Sequence, residues 1–302
     1  MYYSGDSAMP IFTAERMDNT IAILVTAYNR YEKTRRCIRS VCDQPPVEGF
    51  SFDVYLLDDA SPDHTGARIR EEFPEVQVMN GSGSLYWVGG MRTVWQEALK
   101  KEYQAYLLLN DDVELLPDAF VQLFESYRKM DPGFTGSALY IGSTRDTATG
   151  KLSYGGRRLL NHITGKNELI QPDPELILPA EMAHANILLV TRQAVDRIGI
   201  LDGRFTQQLA DYDYSLRAFK KAIPLYVCPG YTGICTDDHG KNWLPQETSL
   251  RERLRYLYHP KHLAYSEYLY YMRRHFPLFV PVAFLKLWAK TLFPILWTRL
   301  KS

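Results

Sequence analysis

The sequence predicts an α/β protein built on a mostly parallel sheet with helices on both faces. Three observations lead there. Strand-like and helix-like segments alternate through about residue 130 of the 302, the pattern of a covered parallel sheet. Two apolar runs, Tyr55-Leu56-Leu57 and Tyr106-Leu107-Leu108-Leu109, end in the acidic clusters Asp58-Asp59 and Asn110-Asp111-Asp112. A third acidic cluster, Asp211-Tyr212-Asp213, opens a helical pattern. Buried strands that end in carboxylates deliver them to the carboxyl edge of the sheet, where open α/β folds bind ligands. Carboxylates crowded there repel one another unless a cation or hydrogen-bond donors compensate. The pattern therefore points to a metal and nucleotide site.

The elements follow in order. Ile21–Thr26 reads as a first strand, broken by Ala27-Tyr28-Asn29-Arg30. A helix is expected from Tyr31 to about Asp43, because Cys37, Ile38, Val41 and Cys42 recur at helical spacing. Pro45-Pro46 stops it. Phe52–Leu57 reads as a second strand, 61–73 as a helix and Val76–Met79 as a third strand. Gly81, Gly83, Gly89 and Gly90 surround an apolar-aromatic stretch, and a helix is expected from about Gly90, with Met91, Val94, Trp95 and Ala98 on one face. Ala105–Leu109 reads as a fourth strand, and Pro117 suits the first position of the next helix. Residues 141–178 are rich in Gly, Ser, Thr, Asp and Pro and read as loops and short strands. Asn186–Val190 reads as a strand, Arg192–Ile198 as a helix closed by Gly199, Asp211–Lys221 as a helix and Leu225–Cys228 as a strand.

Composition narrows the function. The 46% hydrophobic content supports a sizeable core and argues against disorder. Thirty-five basic residues balance thirty-five acidic ones, without the basic excess of a nucleic-acid binder. Cys37, Cys42, Cys228 and Cys235 form no CxxC pair and no zinc spacing, so they read as thiols of a reducing compartment. Residues 1–20 hold no long apolar run, so no signal peptide is expected. Residues 277–297 carry Phe279, Phe284, Leu285, Trp288, Phe293 and Trp297, interrupted by Lys286, Lys290, Pro281 and Pro294. A spanning helix wants about 20 largely uncharged residues. An amphipathic segment lying in a membrane interface fits better. The alternative is packing on the protein itself or on a partner subunit of a homodimer.

Taken together, Val25-Thr26-Ala27-Tyr28-Asn29-Arg30, Leu57-Asp58-Asp59-Ala60-Ser61, Asn110-Asp111-Asp112 and Asp211-Tyr212-Asp213 with Leu216-Arg217-Ala218 stand in the order and spacing of a known family. The chain resembles family 2 glycosyltransferases, inverting, metal-dependent enzymes of the GT-A fold that use nucleotide sugars. The resemblance covers roughly residues 20–240. It is most similar to the bacterial rhamnosyl- or galactofuranosyltransferase-like branch that builds surface polysaccharides. It implies an irregular leader over 1–19, a GT-A transferase domain over 20–240 and a C-terminal helical region with an amphipathic tail over 241–302. Peripheral attachment at the inner face of the cell membrane, through 277–302, follows from the tail. The Gln-x-x-Arg-Trp motif and spanning helices of processive synthases are not seen. A nucleotidyltransferase making sugar nucleotides would need a glycine-rich basic loop at 26–31, where Thr-Ala-Tyr-Asn-Arg-Tyr stands. A non-catalytic scaffold of a polysaccharide assembly complex would not need to keep the acids.

The resemblance also assigns residues. Thr26, Tyr28, Asn29 and Arg30 would line the nucleotide. Asp58 would accept the imide N–H of uracil or thymine, a task for an acceptor-only group. Asp59 would be a structural or ribose contact. Asp112 would bind a divalent cation, Mn or Mg, and Asp111 would touch ribose or the donor sugar. Gly89 and Gly90 would let backbone approach the donor phosphates, and Arg92 would add a charge-assisted bond. Asp211 would be the general base, with Asp213 as runner-up; the family usually has Glu just before the base, and Ala210 stands there. His239 would be a further metal ligand, with Asp237 and Asp238 as rivals. His184 and Asn186 would lie near the acceptor. The donor would be a UDP- or dTDP-sugar, and the acceptor a glycan or lipid-linked sugar.

Overall fold

The computed structural model describes residues 19–237 and 248–294. The first half alternates as expected: β1 (Asn19–Ala27), α1 (Tyr31–Cys42), β2 (Phe50–Asp58), α2 (Thr65–Glu72), β3 (Gln77–Asn80), α3 (Tyr86–Ala98) and β4 (Ala105–Asn110). Then come β5 (Glu114–Leu115) and α4 (Ala119–Met130), followed by seven short strands. These are β6 (Leu139–Ile141), β7 (Thr144–Arg145), β8 (Leu152–Tyr154), β9 (Gly156–Asn161), β10 (Lys166–Leu169), β11 (Leu178–Ala180) and β12 (Met182–Ala183). The chain continues through β13 (Ile187–Thr191), α5 (Arg192–Ile198), α6 (Ala210–Lys220), β14 (Leu225–Val227) and β15 (Gly233–Ile234). Three helices follow: α7 (Leu250–Tyr258), α8 (Tyr265–His275) and α9 (Val280–Leu292).

Eight strands form the main sheet in the order β11-β14-β6-β13-β4-β1-β2-β3. β1, β2, β3 and β4 pair in parallel, while β13 runs antiparallel between β4 and β6. Side-chain alternation divides the core between the two faces. Ala22, Leu24, Tyr55, Leu57, Tyr106 and Leu108 face α3, α6 and α8. Ile21, Ile23, Val25, Leu56, Leu107 and Leu109 face α1 and α4. A strand buried on both faces has no polar side to show, which is why these strands read as continuous apolar runs.

Several boundaries differ from the sequence reading. α3 begins at Tyr86, a full turn before Gly90. α4 begins at Ala119 behind Asp118, leaving Pro117 in the preceding turn. All four cysteines are free thiols, and Cys37 and Cys228 are fully buried. No helix among the described residues is long and apolar enough to cross a membrane. α9 buries Ala283, Leu287 and Thr291 and packs against α7 and α8. Its other side leaves Val282, Phe284 and Leu285 exposed.

Candidate active site

Strand register brings the acidic clusters to one edge. Ala27 pairs with Asp58, Asp58 with Asn80, and Thr26 with Asn110. Because β13 is antiparallel to β4, its beginning meets the end of β4: Asn110 N–H donates to the Asn186 carbonyl at 3.1 Å. Four non-glycine residues around this edge hold left-handed backbone: Asn29 (φ 54°), Ala60 (56°), Tyr86 (55°) and Leu209 (64°). Such conformations persist where surrounding contacts over-determine them, and they concentrate at functional sites.

Behind β2, both acids are engaged by their own chain. Asp58 accepts at Oδ1 from Ser61 N–H (3.2 Å) and the Ser61 hydroxyl, and at Oδ2 from Gly66 N–H (3.0 Å). Asp59 accepts from Gly83 N–H (2.7 Å) and Leu85 N–H (2.8 Å). The holding role expected of Asp59 alone thus extends to Asp58, which fixes the start of α2. Each carboxylate oxygen has two lone pairs, so further acceptance remains chemically open.

The loop after β1 reaches across to the end of β4. Thr26 is buried, Tyr28 is exposed, and Asn29 N–H donates to the Ser61 hydroxyl at 2.8 Å. Arg30 spans the acidic pair, with Nη2 2.8 Å from Asp111 and Nη1 3.0 Å from Asp112. Lys33 Nζ lies 4.0 Å from Asp112. Asp111 is only 2% exposed and accepts from the Thr34 hydroxyl at 3.3 Å. The contact expected of it was with ribose or the donor sugar; here its partners are Arg30 and Thr34. Burial pushes its carboxyl up to about 7 even with Arg30 beside it. Asp112 is the member of the pair that meets solvent.

At the expected phosphate cradle, Gly89, Gly90 and Arg92 all lie in α3 and contact their own chain. Gly90 sits in the second turn of α3, where a Cβ would collide with the Thr26 side chain. Glycine is needed there so that the helix can lie close on β1. Gly89 N–H bonds the Leu85 carbonyl inside the helix start. The first-turn amides are taken as well: Trp87 N–H by Gln207 Oε1 and Val88 N–H by the Thr206 carbonyl, both at 3.1 Å. Arg92 donates to the Leu201 carbonyl, which holds the loop before α6.

On the other side of the edge, Asp211 stands in the first turn of α6. Desolvation raises its carboxyl to about 6, against opposing help from the Tyr212 and Ala185 amides and Arg157. His184 is buried; its Nε2 lies 2.7 Å from the Tyr212 hydroxyl, and its Nδ1 meets Gly155. Asn186 is buried and donates to Cys235 Sγ at 3.6 Å. Asp213, the runner-up for the base, is fully buried and held by Arg217 (2.9 Å), Arg274 (3.2 Å) and His275 (2.8 Å), so it anchors α8.

His239, expected as a metal ligand, lies outside the described residues. Among the described residues, no three His, Cys, Asp or Glu side chains gather as a ligand set. The chain leading to position 239 does leave from Asp112, because β15 pairs with β5 and Cys235 Sγ lies 3.7 Å from Asp112 Oδ1. The Asp112 carboxylate, which meets solvent beside Arg30 and Lys33, is an oxygen donor of the kind a hard divalent cation takes. Asp112 therefore fits such a cation.

Sequence reasoning missed Trp87, whose indole N–H donates to the Asn110 side chain at 2.8 Å, and Arg157, which faces Asp211 and lies 5.9 Å from the Tyr212 ring centroid. A tryptophan two residues before the glycine pair, and a basic residue within a polar stretch, were the available signals.

An open α/β sheet with acids from three separate segments at its carboxyl edge is a candidate ligand site of an α/β enzyme. The sequence profile described as glycosyl transferase family 2 matches residues 22–183, just over half of the 302 residues, and the chain belongs to that family. No curated protein matches the sequence. Among solved structures, the mannosyltransferase PcManGT from Pyrobaculum calidifontis, in complex with GDP-Man and Mn2+, superposes with a TM-score of 0.53 at 12% identity, over 90% of this chain and 69% of that one. S. aureus TarS 1–349 in complex with UDP gives 0.53 at 12% identity, over 72% of this chain and 60% of that one. TarS 1–349 without that nucleotide in its description gives 0.50 at 13% identity, with the same coverage. The chain thus spans less than two thirds of TarS 1–349. At these identities the likeness is one of fold, the GT-A fold.

Proposed function

We propose that the chain moves a sugar, with inversion, from a UDP- or dTDP-sugar to a hydroxyl of a glycan or lipid-linked acceptor in the synthesis of a cell-surface polysaccharide. The observation that carries this reading is the link between the two acidic sides. The Ala185 backbone lies close enough to lower the Asp211 carboxyl against its burial, and the next carbonyl, Asn186, takes the N–H of Asn110. Asp211 and the Asp111-Asp112 turn therefore share one edge.

Asp211 removes the proton from the acceptor hydroxyl as its oxygen attacks the anomeric carbon, opposite the departing nucleoside diphosphate. A carboxylate raised to about 6 is ionised at neutral pH yet more basic than an ordinary one, as a general base should be. A divalent cation held by Asp112 and His239 would stabilise charge on the leaving diphosphate as a Lewis acid. Arg30 and Lys33 add fixed positive charge beside Asp112. The remaining lone pairs of Asp58 supply an acceptor for a uracil or thymine imide. The exposed apolar side of α9, with Lys286, supports peripheral attachment to the inner face of the membrane.

The test is a melting-shift screen over UDP-, dTDP-, GDP- and CDP-sugars with Mn or Mg. Uridine or thymidine nucleotides should stabilise the protein only with metal present. Equal stabilisation by GDP-sugars would remove the imide role of Asp58.

A further inference from the structure

We infer that Glu267 is a positioning residue for sugar transfer, acting through the loop of residues 202–209. It stands in the first turn of α8, outside every motif discussed above. Both of its oxygens hold one residue: Oε2 accepts from Thr206 N–H at 3.0 Å and Oε1 from the Thr206 hydroxyl at 2.7 Å. Two charge-assisted bonds to one partner fix direction as well as distance.

What Thr206 does next gives the clamp its consequence. Its carbonyl takes Val88 N–H, and the neighbouring Gln207 side chain takes Trp87 N–H. Trp87 in turn holds the Asn110 side chain, two residues from Asp112. In the other direction the loop passes through Leu209, in left-handed backbone, and reaches Asp211 two residues later. A leucine is costly in that conformation and stays there only under constraint. The constraints come from the C-terminal helices. Gln208 donates to the Lys261 carbonyl at 2.8 Å, and Asp202 is held by Arg274 (2.8 Å) and Tyr270 (3.1 Å). Glu267 thereby sets the loop that leads to the base and meets the helix start facing the end of β4. A misplacement of about 1 Å at such a site can cost on the order of a hundredfold in rate.

The inference rests on Asp211 being the base. Steady-state kinetics on the full chain, with melting temperatures, test it in Glu267→Ala, Glu267→Gln and Thr206→Val. Glu267→Ala should lose about tenfold or more in kcat while still folded at the assay temperature, with donor KM within about threefold of the parent. Glu267→Gln keeps an acceptor oxygen and should recover part of the rate. Adding Thr206→Val to Glu267→Ala should cost little more, because the bond is already gone. A kcat for Glu267→Ala within about twofold of the parent would overturn the inference. So would rate losses at Glu267 and Thr206 that simply add, or losses in rate and donor affinity that merely track melting temperature. Asp211→Asn is measured alongside. Normal turnover there would remove the base assignment, a result separate from any effect at Glu267.

Discussion

Asp211 lies by the Ala185 amide, which lowers its carboxyl against burial, one residue before the carbonyl that receives Asn110 N–H. Asp211 thus lies beside the segment that borders the acidic turn after β4. Its carboxyl is raised to about 6 by desolvation. Turnover should therefore rise as pH increases through about 6 and level off above it. For stability the sign is opposite. A raised acid favours the folded state most below the ordinary carboxylate range, and that contribution is lost as pH rises through 6. Asp211→Asn should lose about a hundredfold or more in kcat while keeping donor affinity. A normal pH–rate profile in the Asn variant would place the base elsewhere.

Asp112→Ala should lose both activity and cation-dependent stabilisation by nucleotide. A melting shift that keeps its metal dependence in this variant would move the cation away from β4. Asp111→Asn is the companion measurement. Its side chain is buried against Arg30 and Thr34, so its first effect should be on melting temperature.

Asp213→Ala should destabilise the fold by about 3–5 kcal/mol, the usual result of breaking a buried ion cluster from one side. Arg217 and Arg274 would lose their shared partner, and the His275 ring its acceptor. Burial holds His275 below its ordinary pKa, so the ring is a neutral donor near pH 7. Urea denaturation reads this directly; a change under about 1 kcal/mol would mean the cluster relaxes into solvent.

Gly90→Ala separates packing from ligand binding. The added methyl would meet Thr26, with Thr26 Cβ at 3.1 Å. Overpacking of this kind costs about 1–3 kcal/mol. Stability should fall while donor affinity per folded molecule holds. Selective loss of nucleotide binding would restore the phosphate role.

Membrane attachment is better probed by point substitution than by deletion, because Ala283 and Leu287 of α9 are buried. Leu285 is 64% exposed and Leu278 79%. Changing both to serine should lower binding to anionic vesicles and leave transfer to a soluble acceptor intact. Unchanged vesicle binding would direct attention to other surfaces.

Much of this site was legible because strand ends are legible. An apolar run stopped by acids marks both the strand and its edge, and the register of β1, β2 and β4 followed that reading. Direction of side chains was not legible. Asp111 and Asp112 are adjacent and chemically alike, yet one turns to Arg30 and Thr34 while the other meets solvent. Asp213 looked like a second acid of the same motif. Only the return of α8, sixty residues later, shows it enclosed by Arg274 and His275. Gly90 reads as a helix-start glycine open to the donor because four glycines lie close together. Its actual constraint is the distance between a helix and Thr26, which no local pattern encodes.

The counter-charges of Asp213 come partly from a helix that lies beyond the stretch matched by the family profile. Any shortened version of this enzyme that stops before Arg274 would leave a carboxylate in the interior with Arg217 as its remaining cation among these partners. The minimal unit that can be produced, fused or swapped between homologues therefore extends through α8, well past the last acidic motif.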